Sequence, residues 1–479
     1  ALTTSQMQTL DQAVLDQIVQ DYPDLQDIVP LTALQEGLAF ESMALAPGQV
    51  DPYHVYCHFT LRGPLDIAAL GRAWQTLLAR HSILRLALAP QTLSQALGIV
   101  RTAALNPLRE VSYSGPVEAQ IAALKAADLD QPFDLSQGPL IRAYVMPLAN
   151  NDHLLFLSNH HLILDGWSMP VLISELFKLY EYERTNETPL AIDANQSARN
   201  AGLALPFDWK HHLAWLAQQD IEAARSYWQN HLALLDDAHT LTLPKPIEPE
   251  EGIGECWQQL DQQTTDNLAQ FAKQSGLTQA NLVQGLYALL LARTNTLKQI
   301  VIGSVRNGRG SNLPGIDHAL GLFINTLPQL FSLDDSQTLI EWLRAAQLEQ
   351  AEQDQHSYLG LGEVQKLAQV NGNLFEAIFV FENYPIGDIS NSIGELDVVD
   401  SNGQDATHYP LSLVAIPDRH GLRLRLSFQR ERIEAWQAQD LLKRLINLIE
   451  SLQKIAPLTL GQLPLTSAAE RTALIHAAA

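Results

Sequence analysis

The stretch from His160 to Gly166 combines two histidines, an aspartate and a glycine, and it directly follows an apolar run. Histidine has the unperturbed side-chain pKa nearest neutrality, so it can move a proton or hold a reacting amine at physiological pH. Asp165 can form an ion pair that fixes the turn, and Gly166 tolerates backbone angles that other residues resist. The pattern therefore predicts a turn that handles protons or amines.

The neighbouring histidines His160 and His161 cannot do the same work in a regular strand, because adjacent residues point to opposite faces. We expect one working histidine and one structural histidine. The alternative is that both are hydrogen-bonded core histidines at the end of a strand.

The segments on either side of this turn have patterns that hold a turn rigidly. Residues 153–161 are a mostly apolar run that predicts a buried strand, and residues 166–168 predict the turn. Residues 169–180 predict a helix with an apolar stripe, with Ser168 as its N-cap and Pro170 in its first turn. A strand, a turn and a helix in this order present side chains at a rigid edge.

Strand and helix patterns alternate in both halves of the chain. In the first half, residues 54–61 and 83–88 predict strands, and a helix between them begins at Asp66 and ends near Arg80. In the second half, residues 279–291 predict a strongly apolar helix and residues 299–305 predict a strand. The alternation predicts an α/β fold built in layers.

Segments poor in apolar periodicity divide the chain. The polar stretch 184–205 is the expected boundary, a tryptophan-containing helix is expected over 209–235, and the residues after Ile455 are typical of a linker. We therefore expect one domain at 1–183, a second at 184–455, and a linker or tail at 456–479 that leads towards a following domain.

The composition argues against several classes of protein. The chain has 479 residues, which predicts two or three domain-sized units. Its formal net charge of -23 argues against a nucleic-acid partner, and no apolar run approaches the ~20 residues of a membrane span. The two cysteines, Cys57 and Cys256, give no disulfide framework, so a cytoplasmic location is expected. The chain does not begin with Met, so we expect it to be excised from a longer polypeptide. As an excised domain it is expected to be a monomer.

Other candidate sites have weaker patterns. Arg306 precedes the glycine-rich loop 307–311, and Arg309 lies within it. The loop lacks the Lys-Ser/Thr pair of a nucleotide-binding loop, although either arginine could reach Asp165. Residues 321–328 predict a core strand, and the pair at 211–212 is expected to have a surface or packing role rather than to bind metal. No metal site is expected, since no cluster has metal-ligand spacing, and no serine lies in a nucleophile elbow.

Six segments, in order along the chain, resemble motifs of one family: the condensation domains of nonribosomal peptide synthetases. Residues 160–166 (HHLILDG) match the signature HHxxxDG motif completely. The other segments that resemble family motifs are 29–38 (VPLTALQEGL), 80–85 (RHSILR), 302–303 with Arg309 and 321–328 (GLFINTLP), 379–385 (FVFENYP) and 409–413 (YPLSL). The resemblance extends from Tyr22 to Ile455, and a synthetase-like linker follows it.

The resemblance implies an α/β fold of two chloramphenicol-acetyltransferase-like lobes, arranged as a V with an active-site tunnel between them. His161 would be the catalytic histidine on the tunnel wall, and His160 would be structural. Gly166 would keep the tunnel open and offer its N–H to a developing oxyanion.

Other residues of the motifs would support that site. Asp165 would form a structural ion pair with an arginine, with Arg309 as the first candidate and Arg306 as the second. Trp167, Ser168 and Asn325 are further candidates for the tunnel.

The implied reaction is amide formation. A donor acyl or peptidyl group arrives as a thioester on the phosphopantetheine of one carrier domain, and the amine of an acceptor aminoacyl thioester on a second carrier attacks it. Two tethered substrates that meet in a tunnel gain effective concentration. We expect His161 to orient the amine and to remove its proton late.

The implied partners are donor and acceptor peptidyl carrier domains and a neighbouring adenylation domain, in the synthesis of an antibiotic or other secondary metabolite. The domain itself would bind no cofactor. Carrier domains are usually acidic, as this chain is, so we expect docking at local basic or apolar patches.

The resemblance leaves the subtype and two rivals open. Residues 35–37 resemble the variant common where the donor ends in a D-residue, while starter domains that load fatty acyl groups are a further option. An epimerisation domain shares the signature, but Trp167-Ser168 and residues 321–326 fit condensation better. Heterocyclisation domains carry two aspartates in place of the histidine pair. The rival from another class is a non-catalytic domain of the same superfamily that only recruits partners.

Overall fold

A computed structural model describes residues 12–46, 48–89, 96–102, 107–185, 194–235, 246, 249–310, 313–368, 370, 372–382, 392–393, 396–404, 409–418 and 420–463. The helices, numbered along the chain, are α1 Gln12–Asp21, α2 Ala33–Met43, α3 Ile67–Arg80, α4 Val117–Leu129, α5 Ser168–Thr185, α6 Ala194–Asn200, α7 Trp209–Leu216, α8 Ile221–Leu232, α9 Gln262–Ser275, α10 Gln279–Thr294, α11 Leu339–Asp354, α12 Leu361–Leu367, α13 Ala435–Glu450 and α14 Leu452–Ile455. The strands are β1 Leu25–Pro30, β2 His54–Arg62, β3 Leu86–Leu88, β4 Leu97–Arg101, β5 Arg109–Glu110, β6 Ile141–Pro147, β7 Asp152–His160, β8 Ile253–Gln259, β9 Gln299–Arg306, β10 Asn325–Ser332, β11 Ala377–Phe381, β12 Ser392–Ile393, β13 Leu396–Gln404, β14 Leu411–Asp418 and β15 Gly421–Gln429.

The chain forms two compact units that interleave in sequence. Unit 1 takes in Ala1–Gln219, Gly308–Phe323 and Tyr384–Thr407, and unit 2 takes in Asp220–Asn307, Ile324–Asn383 and His408–Ala479. The units therefore do not follow the expected boundary at residue 184, because two later segments belong to unit 1.

Unit 1 contains a six-stranded sheet in the order β12-β13-β2-β7-β6-β5 and a smaller sheet in the order β1-β4-β3. Strands β2 and β7 run antiparallel at the centre of the large sheet, where His54 lies opposite His160. Alternate residues of β7, Leu154 and Phe156, pack with Leu124 of α4. The central position of β7 gives the residues at its end a fixed place.

Two helices of unit 1 frame the turn that follows β7. Helix α3 begins where the Asp66 carboxylate accepts a hydrogen bond from the Ala69 N–H at 2.9 Å, as the sequence predicts for an N-cap. It packs along α5, the helix that leaves the turn. Trp74 and Leu77 of α3 are completely buried.

Unit 2 contains a second six-stranded sheet, in the order β10-β9-β11-β14-β15-β8. Strand β11 runs parallel to β9 and β14, and the other pairs run antiparallel. One face packs on α9, α10 and α13, and α8 and α12 cover part of the other face. Helix α10 is apolar on all sides and almost completely buried, which is typical of a helix at the centre of a core.

Three expected elements differ from the structure. Residues 82–85 form a 3-10 turn, so the strand expected at 83–88 is shortened to β3. The helix expected over 209–235 is two helices, because Asp220 caps a new helix through the Ala223 N–H. The strand expected at 321–328 begins only at Asn325.

The described part of the expected linker packs onto unit 2. Leu460 lies in the same buried cluster as Ile455, and Leu458 packs against that cluster. The rest of the expected linker, from residue 464, lies outside the described residues. Among the helices described, none is long and apolar enough to cross a membrane.

Candidate active site

His160 is the last residue of β7 and is completely buried. Its Nδ1 accepts a hydrogen bond from the Leu162 N–H at 3.1 Å, so the neutral ring carries its proton on Nε2. Nε2 lies 3.0 Å from Ser42 Oγ and 3.2 Å from Asp51 Oδ2. Burial lowers the pKa of His160 despite the opposing effect of Asp51, so the ring is neutral at physiological pH. Both ring nitrogens bind groups of the protein, which leaves neither for a substrate.

The peptide that follows His161 is held at both of its polar groups. Gln35 Nε2 donates to Leu162 O at 3.1 Å, while His160 binds the Leu162 N–H. Gln35 is completely buried on α2, where it also accepts a hydrogen bond from the Thr32 N–H. A backbone group bound on both sides restricts the conformation of the neighbouring His161.

His161 is the first residue of the turn, and its N–H donates to Tyr53 O at 2.8 Å. Its side chain is half-buried, and its Nδ1 is shielded from solvent without a hydrogen-bond partner among the described residues. Nε2 is therefore the ring atom available to a substrate. Within the described part of the chain no carboxylate accepts a proton from Nδ1, in contrast to a Ser-His-Asp triad. The ring therefore lacks the carboxylate that orients and polarises the histidine of such a triad.

Asp165 is buried and forms a bidentate ion pair with Arg309, with N···O distances of 2.9 and 3.0 Å. Its carboxylate also accepts from the Ser168 N–H at 2.9 Å and from the Phe323 N–H at 3.0 Å. The Arg309 guanidinium lies over the Phe323 ring, 4.5 Å from its centre. The carboxylate therefore ties the turn, the start of α5 and the segment Gly308–Phe323 together within unit 1.

Ser168 takes part in the same network and is not the predicted N-cap. Helix α5 begins at Ser168 itself. The Ser168 hydroxyl is buried, 2.8 Å from Asp165 Oδ1 and 2.9 Å from Gly321 O. The serine thus fixes the turn.

Gly166 and Trp167 are half-buried in the turn. The Gly166 carbonyl accepts from the Met169 N–H at 3.2 Å, whereas the Gly166 N–H has no acceptor among the described residues. An N–H without an acceptor can bind a developing oxyanion.

Arg306 and Asn325 belong to unit 2 and have other partners. Arg306 Nε lies 3.3 Å from Asp354 Oδ1, and burial lowers the pKa of Arg306 to about 10. Arg306 therefore pairs with a different carboxylate from the one predicted. Asn325 Nδ2 donates to the carbonyls of Ser357 and Leu359 at 2.6 and 2.9 Å, so its amide fixes a loop of unit 2.

The motif at 80–85 supports the helix that leaves the turn. Arg80 Nε and His81 Nε2 lie 2.9 and 2.6 Å from Glu175 Oε2 on α5. Burial opposes ionisation of Glu175, but the hydrogen bonds from His81 and Arg80 outweigh it and lower its pKa. Arg85 is buried and donates to Leu78 O at 3.0 Å. The contacts to Glu175 position α5, and the contact of Arg85 holds the end of α3.

The two later motifs lie on strands of unit 2. Phe379 is buried in β11, and the part of that motif at 383–385 lies outside the described residues. The Tyr409 ring stacks on Phe375 with 5.3 Å between ring centres, and Leu411 begins β14.

His212 packs against aromatic side chains, as expected for the pair at 211–212. Its ring lies 5.1 Å from that of Trp209 and 4.9 Å from that of Phe323. Burial lowers the pKa of His212 to about 4. In the described part of the chain no group of three His, Cys, Asp or Glu side chains could hold a metal ion.

Sequence reasoning missed the residues that hold His160 and α5. Gln35 lies in a segment that resembles a family motif, which marks the segment but not the contact. Asp51 and Glu175 lie 109 and 94 residues from their histidine partners, and no local pattern marks them.

The chain matches one family model over most of its length: "Condensation domain", over residues 25–475. It is similar to vanchrobactin synthetase VabF of Vibrio anguillarum, with 30% identity over 448 residues that cover 89% of this chain and 14% of that protein. It is also similar to chondramide synthase cmdD of Chondromyces crocatus, with 30% identity over 471 residues that cover 88% and 11%. The chain spans about a tenth of the length of the curated relatives it matches.

Solved structures share the fold at low identity. The condensation domain from the monacolin K polyketide synthase MokA matches with a TM-score of 0.74 and 18% identity, over 91% of this chain and 100% of that one. The X-domain from teicoplanin biosynthesis matches with a TM-score of 0.72 and 23% identity, over 92% and 98%.

Proposed function

Because the chain belongs to the condensation domain family of nonribosomal peptide synthetases, we propose that it joins two carrier-bound substrates through His161. The amine of an acceptor aminoacyl thioester attacks the carbonyl of a donor acyl or peptidyl thioester. The new C–N bond replaces the C–S bond, the thiol of the donor carrier leaves with a proton, and the extended product stays on the acceptor carrier.

The environment of His161 carries this proposal. Its ring is the half-buried imidazole of the turn, with Nδ1 shielded and Nε2 available, while His160 is fully engaged inside the protein. A thioester is already activated, so orientation of the amine supplies much of what the reaction needs. His161 holds the amine and accepts its proton late, and the Gly166 N–H binds the developing oxyanion.

The substrate subtype is the finer part of the proposal. Residues 35–37 resemble the variant that takes a donor ending in a D-residue. The proposed donor therefore ends in a D-residue, while Gln35 itself binds Leu162 O and supports the turn. The partners proposed are two peptidyl carrier domains and a neighbouring adenylation domain.

The test is an intact-mass assay of transfer between carriers. One carrier is loaded with a dipeptidyl donor, in separate D- and L-terminal versions, and the second carrier is loaded with an aminoacyl acceptor. Wild type should move the donor mass to the acceptor carrier, faster for the D-terminal donor. His161→Ala should slow transfer by about a hundredfold or more, the usual range for loss of an acid–base group.

The matched control is His211→Ala, which removes an exposed histidine of unit 1 outside the turn. It should transfer at the wild-type rate. Racemisation of the donor without acceptor would instead indicate an epimerisation domain. Carrier binding without transfer of any donor would indicate a recruiting domain.

A further inference from the structure

The sheet of unit 2 carries one aromatic and two arginine side chains together on β8 and β15. Trp257 of β8 is 41% exposed and lies opposite Arg425 of β15. The guanidinium carbons of Arg423 and Arg425 lie 5.1 and 5.3 Å from the centre of the Trp257 ring. Leu424 and Leu426, the alternate residues of β15, face the hydrophobic core. The three side chains therefore lie on the sheet face away from that core.

Neither arginine has a carboxylate partner among the described residues. Nε of Arg423 and Nε of Arg425 are both shielded from solvent, and neither has an acceptor in the part of the chain that the structure describes. Arg425 is only 4% exposed. Glu255 lies on the same face, two residues before Trp257, but its carboxylate contacts the Ser427 hydroxyl at 3.4 Å. Buried arginines are normally paired, because an unpaired charge loses its hydration without compensation. Stacking on the indole ring compensates only part of that loss.

We propose that Trp257, Arg423 and Arg425 form a docking surface for the acidic surface of a carrier domain, an inference that rests on the proposed function. Guanidinium groups bind carboxylates through two parallel hydrogen bonds, and the half-buried Arg423 is the one that a partner can reach. The exposed ring of Trp257 offers an apolar contact beside it. Arg425 adds positive charge beneath the ring.

Charge favours an acidic carrier as the occupant of this surface. The chain has 53 acidic and 30 basic residues, so most of its surface repels an acidic partner. Such a partner docks where positive charge is locally uncompensated, and like charges elsewhere suppress other orientations. The proposed reaction needs two carrier partners, and carrier domains are usually acidic.

The experiment compares carrier binding by wild type, Arg423→Glu and Trp257→Ala. The affinity of each fluorescently labelled carrier, donor and acceptor separately, is measured by anisotropy. We expect Arg423→Glu to weaken binding of one of the two carriers by about tenfold or more. Trp257→Ala should weaken binding of the same carrier, and salt at about 0.5 M should remove most of the difference for Arg423→Glu.

The matched control is Lys443→Glu on α13, which reverses an exposed charge on the helix that packs against the core face of the same sheet. It should bind both carriers as wild type does. Transfer from a free thioester of the same acyl group should be unchanged in all three variants, since no carrier docks in that assay. If Arg423→Glu lowers the melting temperature, Arg423→Gln replaces it.

The possible failures are distinguishable. The docking surface is overturned if all three variants bind both carriers as tightly as wild type does, and the proposed function is then left intact. The three variants are Arg423→Glu, Arg423→Gln and Trp257→Ala. A second outcome is that the substitutions weaken carrier binding but wild type transfers no donor. That result would overturn the proposed function and support the docking surface. A wild type that neither binds nor transfers would overturn both.

Discussion

At the scale of residues, the turn depends on a carboxylate that is fully engaged inside unit 1. Asp165 binds Arg309 in two places and also accepts from Ser168 and Phe323. Removal of either charge leaves the other buried without its partner, which costs more than the pair contributes.

We therefore expect Asp165→Ala and Arg309→Ala each to lower the free energy of unfolding by about 3–5 kcal/mol. The double variant should lose less than the sum of the two, because the second substitution removes a charge that is already unpaired. Urea unfolding of the four proteins measures the coupling. Arg62→Ala, which breaks an exposed ion pair with Asp152, should change little. Additive losses at 165 and 309 would contradict the argument.

The Leu162 peptide gives a second prediction at this scale. Gln35→Leu keeps approximate volume but leaves Leu162 O without its buried donor, which should cost about 1–3 kcal/mol of stability. If this contact positions His161, transfer should also slow while the affinity for carriers stays the same. Glu36→Ala, at the exposed neighbouring position, is the control for urea unfolding and for the intact-mass assay. An unchanged transfer rate in a folded Gln35→Leu protein would limit Gln35 to stability.

The different environments of the two histidines at the turn could be predicted from the sequence, but most side-chain contacts of the turn could not. One histidine in the core and one at the surface of the turn follow from adjacent positions at the end of a strand. The resemblance named Arg309 ahead of Arg306 as the partner of Asp165, and the structure confirms that choice. Local spacing alone leaves both arginines open, because it does not say which unit each residue joins.

At the scale of elements, a buried polar cluster joins α4 to the large sheet of unit 1. Asp128 of α4 accepts from Tyr144 of β6 at 2.7 Å, lies 2.7 Å from His54 Nε2 on β2, and pairs with Arg142 at 3.1 Å. Burial opposes its ionisation, yet the hydrogen bonds from His54 and Tyr144 lower the pKa of Asp128 from 3.8 to about 2.

A carboxylate whose pKa is lower in the folded than in the unfolded chain stabilises the fold at pH values above its unfolded pKa. This stabilisation is lost as the pH falls through the folded pKa. For Asp128 the contribution is about 2 kcal/mol above roughly pH 5, and it disappears as the pH falls towards about 2. Asp128→Asn should therefore be less stable than wild type near neutrality, by a difference that shrinks in acid. Urea unfolding at about pH 7, 4 and 3 tests this, with the exposed Asp130→Asn as control. A difference that does not change with pH would contradict the assignment.

Helices and strands could be predicted where the periodic pattern of apolar residues matched a single element. The strand before the turn and helix α3 with its Asp66 cap match the expected segments closely. The prediction of a single helix over 209–235 was wrong, because Asp220 caps a second helix inside a continuous apolar pattern. A cap inside such a pattern resembles an ordinary polar residue on the exposed side of one long helix.

At the scale of the whole molecule, the match over residues 25–475 confirms the family, and the solved structures confirm the α/β fold. The division of the chain was not predictable from composition. Polar, breaker-rich segments mark places where the chain turns at the surface, but they do not say which unit a later segment rejoins.

The interleaving of the units makes a last prediction about fragments. A fragment of residues 1–219 lacks β13, which pairs with β2 from Asp397↔Arg62 to Gln404↔Tyr56, and it lacks Arg309, the partner of Asp165. It therefore leaves β2 as an open sheet edge and a buried carboxylate without its cation. We expect this fragment to aggregate or to unfold without a cooperative transition, as seen by gel filtration and thermal circular dichroism. Addition of residues 308–323 and 384–407 through short flexible linkers should restore a cooperative transition, because both missing partners return. A monomeric 1–219 fragment that melts cooperatively near the temperature of the full chain would mean that unit 1 does not need its two later segments.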